Sequence, residues 1–126
     1  MFLAGWPPSV NDLTAVVHGR KIKTKRGRLF TEKVVNQIEE LRDRVDVPFF
    51  KGYLRVTYTF YPPDKRVRDL DNPIKVESDS LTAAKVWEDD SQVKEYIVHW
   101  GEIVKGGAFK VEIEEFADGE YRPEKL

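Results

Sequence analysis

The segment YLRVTYTFYPPDKRVRDLDNPIK, residues 53–75, changes its periodicity within a few positions and thereby decides the fold. Its first part alternates apolar and polar residues and is rich in β-branched and aromatic side chains, which predicts a strand over residues 53–61. Two prolines then end the strand. Further on, Asn72 is a favourable N-cap and Pro73 suits the first helical position, so a helix is predicted from Asn72 to about Val86.

The flanking segments extend this strand and helix into a domain. Upstream, residues 31–45 place apolar residues at helical spacing, with Thr31 as the predicted N-cap. Downstream, residues 92–104 and 108–116 are predicted to be strands joined by the turn KGG. The order indicates an α+β fold: a single small domain over residues 1–126, with a mixed β-sheet and helices packed on it.

Composition excludes several classes of protein. The chain of 126 residues is 40% apolar and 34% charged, which is typical of a water-soluble globular domain. It contains no cysteine, which excludes disulfides and thiolate metal sites, and only two histidines, His18 and His99, so a zinc enzyme is not expected. No apolar run approaches the roughly 18 residues of a membrane span. We therefore expect a cytoplasmic protein that does not bind a membrane.

Positive charge is concentrated before the predicted second helix. Residues 18–28, HGRKIKTKRGR, include six Lys or Arg and no acidic residue, and are predicted to form an exposed, mobile loop or ribbon. The loop PPDKRVR at 62–68 adds three more bases, whereas residues 117–126 form an acidic tail. Such segregation is common on solvated surfaces, but it also suits binding of a polyanion. The candidate residues for binding a polyanion are Arg20, Lys21, Lys23, Lys25, Arg26, Arg28, Lys65, Arg66 and Arg68.

Negative charge follows in two clusters, RDLDN and EDDS. From Asp69 to Asp90 there are seven carboxylates and two lysines. Asp71 directly precedes the predicted helix, and Lys75 lies one turn further on the same face. Hard oxygen ligands of this kind suit Mg²⁺, which is commonly held by a few carboxylates together with water and phosphate. A purely structural alternative stays open on spacing alone, because carboxylates also stabilise a helix N-terminus by about 0.3–1 kcal/mol each.

Two short metal and phosphate motifs do not fit. An EF-hand loop beginning at Asp69 requires glycine at its sixth position and glutamate at its twelfth, where this chain has Ile74 and Ser80. A DxDx(T/V) phosphatase motif would need Thr or Val where Pro73 stands. Trp87 and Trp100 are interpreted as core residues, not as surfaces on which bases stack.

The segment YPPDKRVRDLDNPIKVESDSLTAAKVWEDDSQV, residues 61–93, resembles the signature of the RusA family of Holliday junction resolvases. The shared features are a strand ending in YPP, a basic run, RDLDN with a lysine three residues on, an LT-containing helix and a closing EDDSQ-like segment. PPSVN near the N-terminus resembles the opening of the family, so the likeness covers nearly the whole chain. Lys85 departs from the family pattern, in which a small residue, often glycine, is common.

The resemblance implies a homodimeric, magnesium-dependent crossover junction endodeoxyribonuclease acting in DNA recombination and repair. Such an enzyme cuts four-way DNA junctions by paired symmetric nicks that leave 5′-phosphate and 3′-hydroxyl ends. Two alternatives remain: a nuclease that acts mainly on other branched or flapped DNA, and a junction-binding protein that does not cut.

The resemblance also implies which residues form the site. The essential carboxylates of the family map onto Asp69, Asp71 and Asp90, which would hold one or two Mg²⁺, with Mn²⁺ as a compatible substitute. The essential lysine maps onto Lys75. Asp89 is a further candidate ligand, and Asp79 matches an acidic position without an assigned role.

Overall fold

The computed structural model describes residues 1–9 and 14–125, and its secondary structure centres on one long strand. In chain order the elements are β1 (Phe2–Ala4), β2 (Thr14–Val17), β3 (Arg20–Lys23), α1 (Lys25–Arg42), β4 (Leu54–Tyr61), α2 (Asn72–Ala83), a 3₁₀ turn (Asp90–Gln92), β5 (Val93–Trp100) and β6 (Ala108–Glu115). Residues 10–12 of the predicted N-terminal turn PPSVND lie outside the described residues.

Strand β4 is the middle of a four-stranded sheet of order β1-β6-β4-β5. It pairs in parallel with β5 and antiparallel with β6. The predicted strands β5 and β6 are therefore consecutive in sequence but not neighbours, because β4 lies between them. The connection crosses the end of β4, where the backbone N–H of Gly101 donates to the Phe60 carbonyl at 2.8 Å. The mixed sheet confirms the predicted α+β class.

One face of β4 forms the floor of the core. Leu54, Val56, Tyr58 and Phe60 are fully buried, as the alternation in sequence predicts. Both helices contribute to the same cluster of buried residues, and they also contact each other. The α2 helix connects β4 to its parallel neighbour β5, so it begins and ends close to the two ends of that strand pair.

Helix α1 begins six residues earlier than predicted. Its N-cap is Thr24, whose hydroxyl accepts from the Gly27 N–H at 3.2 Å, and the predicted cap Thr31 lies inside the helix. The earlier start has a packing reason, since Phe30 joins the buried stripe one turn before Val34. The basic segment at 18–28 is therefore not a single ribbon: its second part is helical.

The first part of the basic segment belongs to a β-hairpin. β2 and β3 pair antiparallel, and the two-residue turn is His18-Gly19, with φ angles of 51° and 74°. Positive φ at both positions matches the right-handed twist of a hairpin. Residues 18–23 therefore form the turn and second strand of this hairpin, and the mobility of the segment remains a prediction.

Helix α2 begins at Asn72 as predicted, but its cap residue and its end differ from the prediction. Asp71, not Asn72, occupies the cap position, and the helix ends at Ala83, three residues before the predicted end. Lys85 adopts a left-handed conformation with φ of 63°, and the Val86 N–H returns to the Leu81 carbonyl at 3.1 Å. This arrangement is a Schellman motif, which ends the helix and turns Val86 and Trp87 into the core.

Two further features complete the fold. The short strand β1 was not predicted, because three residues carry too little periodicity; its pairing with β6 is a purely tertiary contact. Among the described residues, no helix is both long and apolar enough to cross a membrane.

Candidate active site and DNA-binding groove

The EDDS segment is held in place by a buried glutamine. The Gln92 amide oxygen accepts from the N–H groups of Glu88 and Asp89, both at 2.8 Å. Its amide nitrogen donates to the carbonyls of Phe50 and Gly52 at 3.0 and 2.9 Å. Sequence reasoning noted this glutamine only as part of the EDDSQ-like pattern. Its four bonds fix the 3₁₀ turn, and with it the direction of Asp90.

Asp89 and Asp90 have different environments within this turn. Asp89 is the N-cap, and its carboxylate accepts from the Ser91 N–H, which is the largest reason why the pKa of Asp89 is lowered. Partial burial raises the pKa of Asp90, and the carboxylates of Asp89 and Asp79 raise it further, whereas Lys75 opposes the shift. Asp90 therefore lies within the electrostatic influence of Lys75 and Asp79 on the first two turns of α2.

Lys75 and Asp79 form an ion pair one helical turn apart, with 3.5 Å between Nζ and a carboxylate oxygen. Both side chains remain substantially exposed, so the pair contributes little to stability and the Lys75 ammonium is accessible from solvent.

Three hydrogen-bonded hydroxyl groups, one on α2 and two on the sheet, attach α2 to the sheet. The Ser78 hydroxyl lies 2.8 Å from the Tyr58 hydroxyl and 3.0 Å from the Tyr96 hydroxyl. The two tyrosine rings stack at 5.9 Å. Burial raises the pKa of Tyr96, and the nearby charges of Asp90 and Asp79 raise it further. The Tyr96 hydroxyl therefore lies at the edge of the acidic cluster.

Asp69 and Asp71 lie at the N-terminal end of α2. The Asp69 carbonyl accepts from the Asn72 N–H at 3.3 Å, and Asp71 occupies the cap position without a capping bond from its side chain. Both side chains are exposed, so neither carboxylate is buried in the core.

The candidate donors fit a hard divalent cation in chemistry, since all of them are carboxylate oxygens. Their arrangement is looser than a coordination shell. Within residues 1–9 and 14–125, no three His, Cys, Asp or Glu side chains are close enough together to hold a metal ion. Lys75 and Asp79 form an ion pair, and the charges of Asp79, Asp89 and Lys75 shift the pKa of Asp90. The joint role of Asp69, Asp71 and Asp90 as ligands stays a prediction.

The basic loop after β4 is organised by Asp64. Its carboxylate accepts from the Arg66 N–H at 2.9 Å and pairs with the Arg68 guanidinium at 2.8 Å. The Arg68 bond is the main reason why the pKa of Asp64 is lowered. Arg68 also lies over the Trp6 ring at 5.4 Å, whereas Lys65 and Arg66 are exposed. The Arg66 guanidinium also pairs with Asp64, at 3.4 Å, so Asp64 holds two of the three predicted DNA contacts, of which Arg68 is the less exposed.

An open groove runs between the first turns of α1 and this loop. Its cations are Arg26, Lys33, Arg66 and Arg68, and its described lining contains no acidic side chain. Trp6 and Leu29 provide apolar surface between them. Sequence reasoning found three of the four cations and missed Lys33 and Trp6. Helical spacing could have revealed Lys33, which is seven residues after Arg26 and so lies on the same helix face.

The remaining candidate DNA-binding residues of the basic segment are not in the described lining of this groove. Arg20, Lys21 and Lys23 lie on the hairpin, and Lys25 and Arg28 lie in the first turns of α1. The side chains of Arg20, Lys21, Lys25 and Arg28 are exposed.

The sequence matches the family model of the endodeoxyribonuclease RusA over residues 5–114. The chain belongs to the RusA family. A crossover junction endodeoxyribonuclease RusA of Escherichia coli strain K12 is 32% identical over 113 residues, covering 90% of this chain and 92% of that protein. The protein of the same name from Enterobacteria phage 82 has the same identity and coverage. A relative from Escherichia coli O139:H28 is 31% identical.

Membership of the RusA family confirms the resemblance seen in residues 61–93 and the prediction of a nuclease. The matched range contains the groove and all of the candidate carboxylates, from Asp69 to Asp90.

Proposed function

We propose that this RusA-family protein is a magnesium-dependent endodeoxyribonuclease that resolves four-way DNA junctions by paired symmetric nicks. The observation that carries the proposal is the position of the cationic groove. Arg68 lines the groove and directly precedes Asp69, the first carboxylate of the acidic segment 69–90. A phosphate backbone held in the groove would pass the N-terminal end of α2. The relatives named as crossover junction endodeoxyribonucleases support a branched substrate.

Asp69, Asp71 and Asp90 would hold the metal ion, with Asp89 beside them. When bound, Mg²⁺ supplies an activated water and offsets charge on the phosphodiester, so that hydrolysis leaves a 5′-phosphate and a 3′-hydroxyl. Asp90 lies against the like charges of Asp79 and Asp89, and a divalent cation would relieve their repulsion. The Gln92 bonds keep Asp90 directed at α2 during binding.

Lys75 would stabilise negative charge that develops on the phosphoryl oxygens. Its ammonium is accessible, and its ion pair with Asp79 holds it one turn from Asp71 on the same helix face. The exposed pair is weak, so Lys75 can exchange the Asp79 carboxylate for a phosphate oxygen.

A symmetric homodimer would present two such sites to opposing strands of one junction. Each protomer carries one acidic cluster, so paired nicks require two protomers. Sedimentation of the protein alone and on a four-way junction measures this state, and two protomers per junction are expected. One protomer per junction would contradict the paired mechanism.

The central test is the substitution Asp71→Asn. It removes a metal ligand and one negative charge beside the phosphate path, so cutting should be abolished while junction binding stays equal or becomes tighter. Labelled four-way junction, flap and linear duplex are incubated with each protein in Mg²⁺ or in EDTA. Asp46→Asn, an exposed aspartate outside the site, is the matched control and should cut normally.

The same assay separates the alternatives. Undiminished Mg²⁺-dependent cutting by the Asp71→Asn protein would contradict the site assignment. Cutting of flaps in preference to junctions by the unmodified protein would indicate a different branched substrate, and binding without any cutting would indicate a junction-binding protein.

A further inference from the structure

The hydrogen-bonded hydroxyls of Tyr58, Ser78 and Tyr96 run from the core to the protein surface. Tyr58 on β4 is fully buried, and its hydroxyl lies 2.8 Å from the Ser78 hydroxyl. The Ser78 hydroxyl lies 3.0 Å from the hydroxyl of Tyr96 on β5, and 39% of the Tyr96 surface is exposed. Tyr96 is therefore the member of this network that a ligand can reach.

The buried end of the network fixes the direction of its first hydrogen bond. Each hydroxyl carries a single proton, and a buried hydroxyl proton without an acceptor is costly. Within residues 1–9 and 14–125, the Tyr58 hydroxyl has no hydrogen-bond partner other than the Ser78 hydroxyl. If Tyr58 accepted this bond, its own proton would be buried without an acceptor. Tyr58 therefore donates to Ser78.

The direction of the second hydrogen bond follows from the first. Ser78 is 2% exposed, so its proton also requires an acceptor. Because Tyr58 donates to Ser78, the acceptor that is left for the Ser78 proton is the Tyr96 oxygen. The Tyr96 oxygen accepts this bond, and the Tyr96 proton is directed away from Ser78. The network thus holds Tyr96 as a donor whose proton has no acceptor in the described part of the protein.

This donor lies within the electrostatic influence of the candidate site. The charges of Asp90 and Asp79 act on the Tyr96 hydroxyl. Together with burial, they raise the pKa of Tyr96 above its ordinary value of 10.0, so the hydroxyl stays protonated at neutral pH. Stacking on the Tyr58 ring at 5.9 Å fixes the Tyr96 ring. The donor is therefore neutral, and it is oriented before DNA binds.

A phosphodiester supplies the acceptor that this donor lacks. Its non-bridging oxygens are negatively charged, and a hydrogen bond to a charged acceptor is roughly twice as strong as one between neutral groups. A neutral hydroxyl also adds no positive charge that would compete with a divalent cation for Asp90. Preorganised donors of this kind stabilise negative charge where it develops in a transition state.

We propose that the Tyr96 hydroxyl donates a hydrogen bond to a non-bridging oxygen of the phosphodiester to be cut, and that Tyr58 and Ser78 are positioning residues that hold it in this direction. The inference rests on the proposed endonuclease function. No proton is transferred, and the bond strengthens as charge develops on the phosphoryl oxygens. Lys75 and Tyr96 would then contact the same phosphate, one from the helix and the other from the sheet.

The first experiment removes the hydroxyl and keeps the ring. Tyr96→Phe should lower the single-turnover rate of junction cutting in Mg²⁺ roughly 10- to 100-fold with protein in saturating excess, as loss of a hydrogen bond to a charged group gives. Tyr53→Phe, at an exposed tyrosine outside the site, is the matched control and should cut normally. Thermal unfolding verifies that each variant is folded. Absence of cutting by the unmodified protein would refute the proposed function, whereas equal rates for the unmodified and Tyr96→Phe proteins would refute this inference alone.

The second experiment tests the direction of the network. Tyr58→Phe removes the proton that Ser78 accepts, so Tyr96 can donate to Ser78 and is no longer held toward the phosphate. Although Tyr58 is buried and does not reach DNA, this change should slow cutting on the order of fivefold. In the Tyr96→Phe protein the same change should alter the rate by less than about twofold, since no hydroxyl remains to be oriented. Equal effects of Tyr58→Phe in both proteins would show a merely structural role and would contradict the inference.

The third experiment changes the acceptor on the DNA. Sulfur accepts hydrogen bonds weakly, so a phosphorothioate at the nick tests contact with each non-bridging oxygen. In one configuration, sulfur should slow the unmodified protein on the order of tenfold more than it slows Tyr96→Phe. In the other configuration, it should slow both proteins equally. If sulfur has the same effect on both proteins in both configurations, Tyr96 does not contact a non-bridging oxygen and the assignment is wrong.

Discussion

Glu77 is a buried acid on the functional helix. It is completely inaccessible to solvent, and neither carboxylate oxygen has a hydrogen-bond partner among the described residues. Burial raises the pKa of Glu77 well above its ordinary value of 4.5, so the folded protein favours the neutral acid. Its contribution to stability is fully present below that ordinary value and is lost as the pH rises toward the folded-state pKa.

Replacing Glu77 with methionine should therefore stabilise the protein. Glu77→Met removes two unpaired oxygens from the core and should raise the free energy of unfolding by about 1–3 kcal/mol, with a larger gain at pH 8 than at pH 5. Urea unfolding at both values measures the effect. Glu32→Met, at an exposed position of α1, is the control and should change it by less than about 0.5 kcal/mol. If the free energy of unfolding of the Glu77→Met protein depends on pH as that of the unmodified protein does, a group other than Glu77 is responsible for the pH dependence.

In sequence, Glu77 is one of seven carboxylates between Asp69 and Asp90, and nothing in the pattern separates it from Asp79 two positions on. The two residues differ in their angular position around the helix axis. Glu77 faces the core, whereas Asp79 faces solvent beside Lys75. The sequence could predict a concentration of acid on α2, but which acids are available as ligands depends on how the helix sits on the sheet.

At the scale of elements, the C-terminus of α2 is a site of backbone strain. Lys85 has φ of 63°, a conformation that costs a residue with a side chain roughly 1–2 kcal/mol. The resemblance to the RusA family had marked this position as one where a small residue is common. The Schellman geometry gives the reason, because glycine adopts this conformation at little cost.

Lys85→Gly should accordingly raise the free energy of unfolding by about 0.5–1 kcal/mol, since relief of strain exceeds the added freedom of the unfolded chain. Thermal or urea unfolding measures this change. Ala83→Gly, two residues earlier and inside the helix, should lower the free energy by about 0.5–1 kcal/mol. If both substitutions destabilise the protein equally, the left-handed strain at Lys85 is not significant.

A comparison of β4 and α1 shows where the local sequence is sufficient to predict an element. The alternation in β4 predicted both its limits and its buried face, because period two is imposed by the strand itself. The start of α1 was predicted wrongly, since Thr24 and Thr31 are both acceptable caps and only the packing of Phe30 against the core selects the first.

At the scale of the molecule, charge is divided between a basic groove and an acidic cluster at the end of one helix. Neutralising the groove with Arg26→Ala, Lys33→Ala and Arg66→Ala should weaken junction binding. The slope of log affinity against log salt should also fall by roughly 1 for each lost phosphate contact. Binding is titrated in EDTA at several salt concentrations. Neutralising Arg44, Lys51 and Arg122, which line neither groove nor hairpin, is the matched three-charge control and should leave the slope unchanged.

The hairpin is tested in the same titration. Alanine at Arg20, Lys21 and Lys23 should lower the slope if this ribbon contacts DNA, as the sequence predicts. A groove variant with an unchanged slope would place the DNA elsewhere on the surface.

The sequence by itself determined the family, the α+β class, the central strand and the helix that follows RDLD, and it supplied the candidate residues of the site. Those properties are local, since they follow from periodicity, turn chemistry and a spaced motif. The tertiary structure decided that β4 separates β5 from β6, that Gln92 holds the turn that carries Asp90, that Glu77 is buried, and that Trp6 and Lys33 line the cationic groove. Each of these depends on contacts between residues distant in sequence, which local periodicity does not encode.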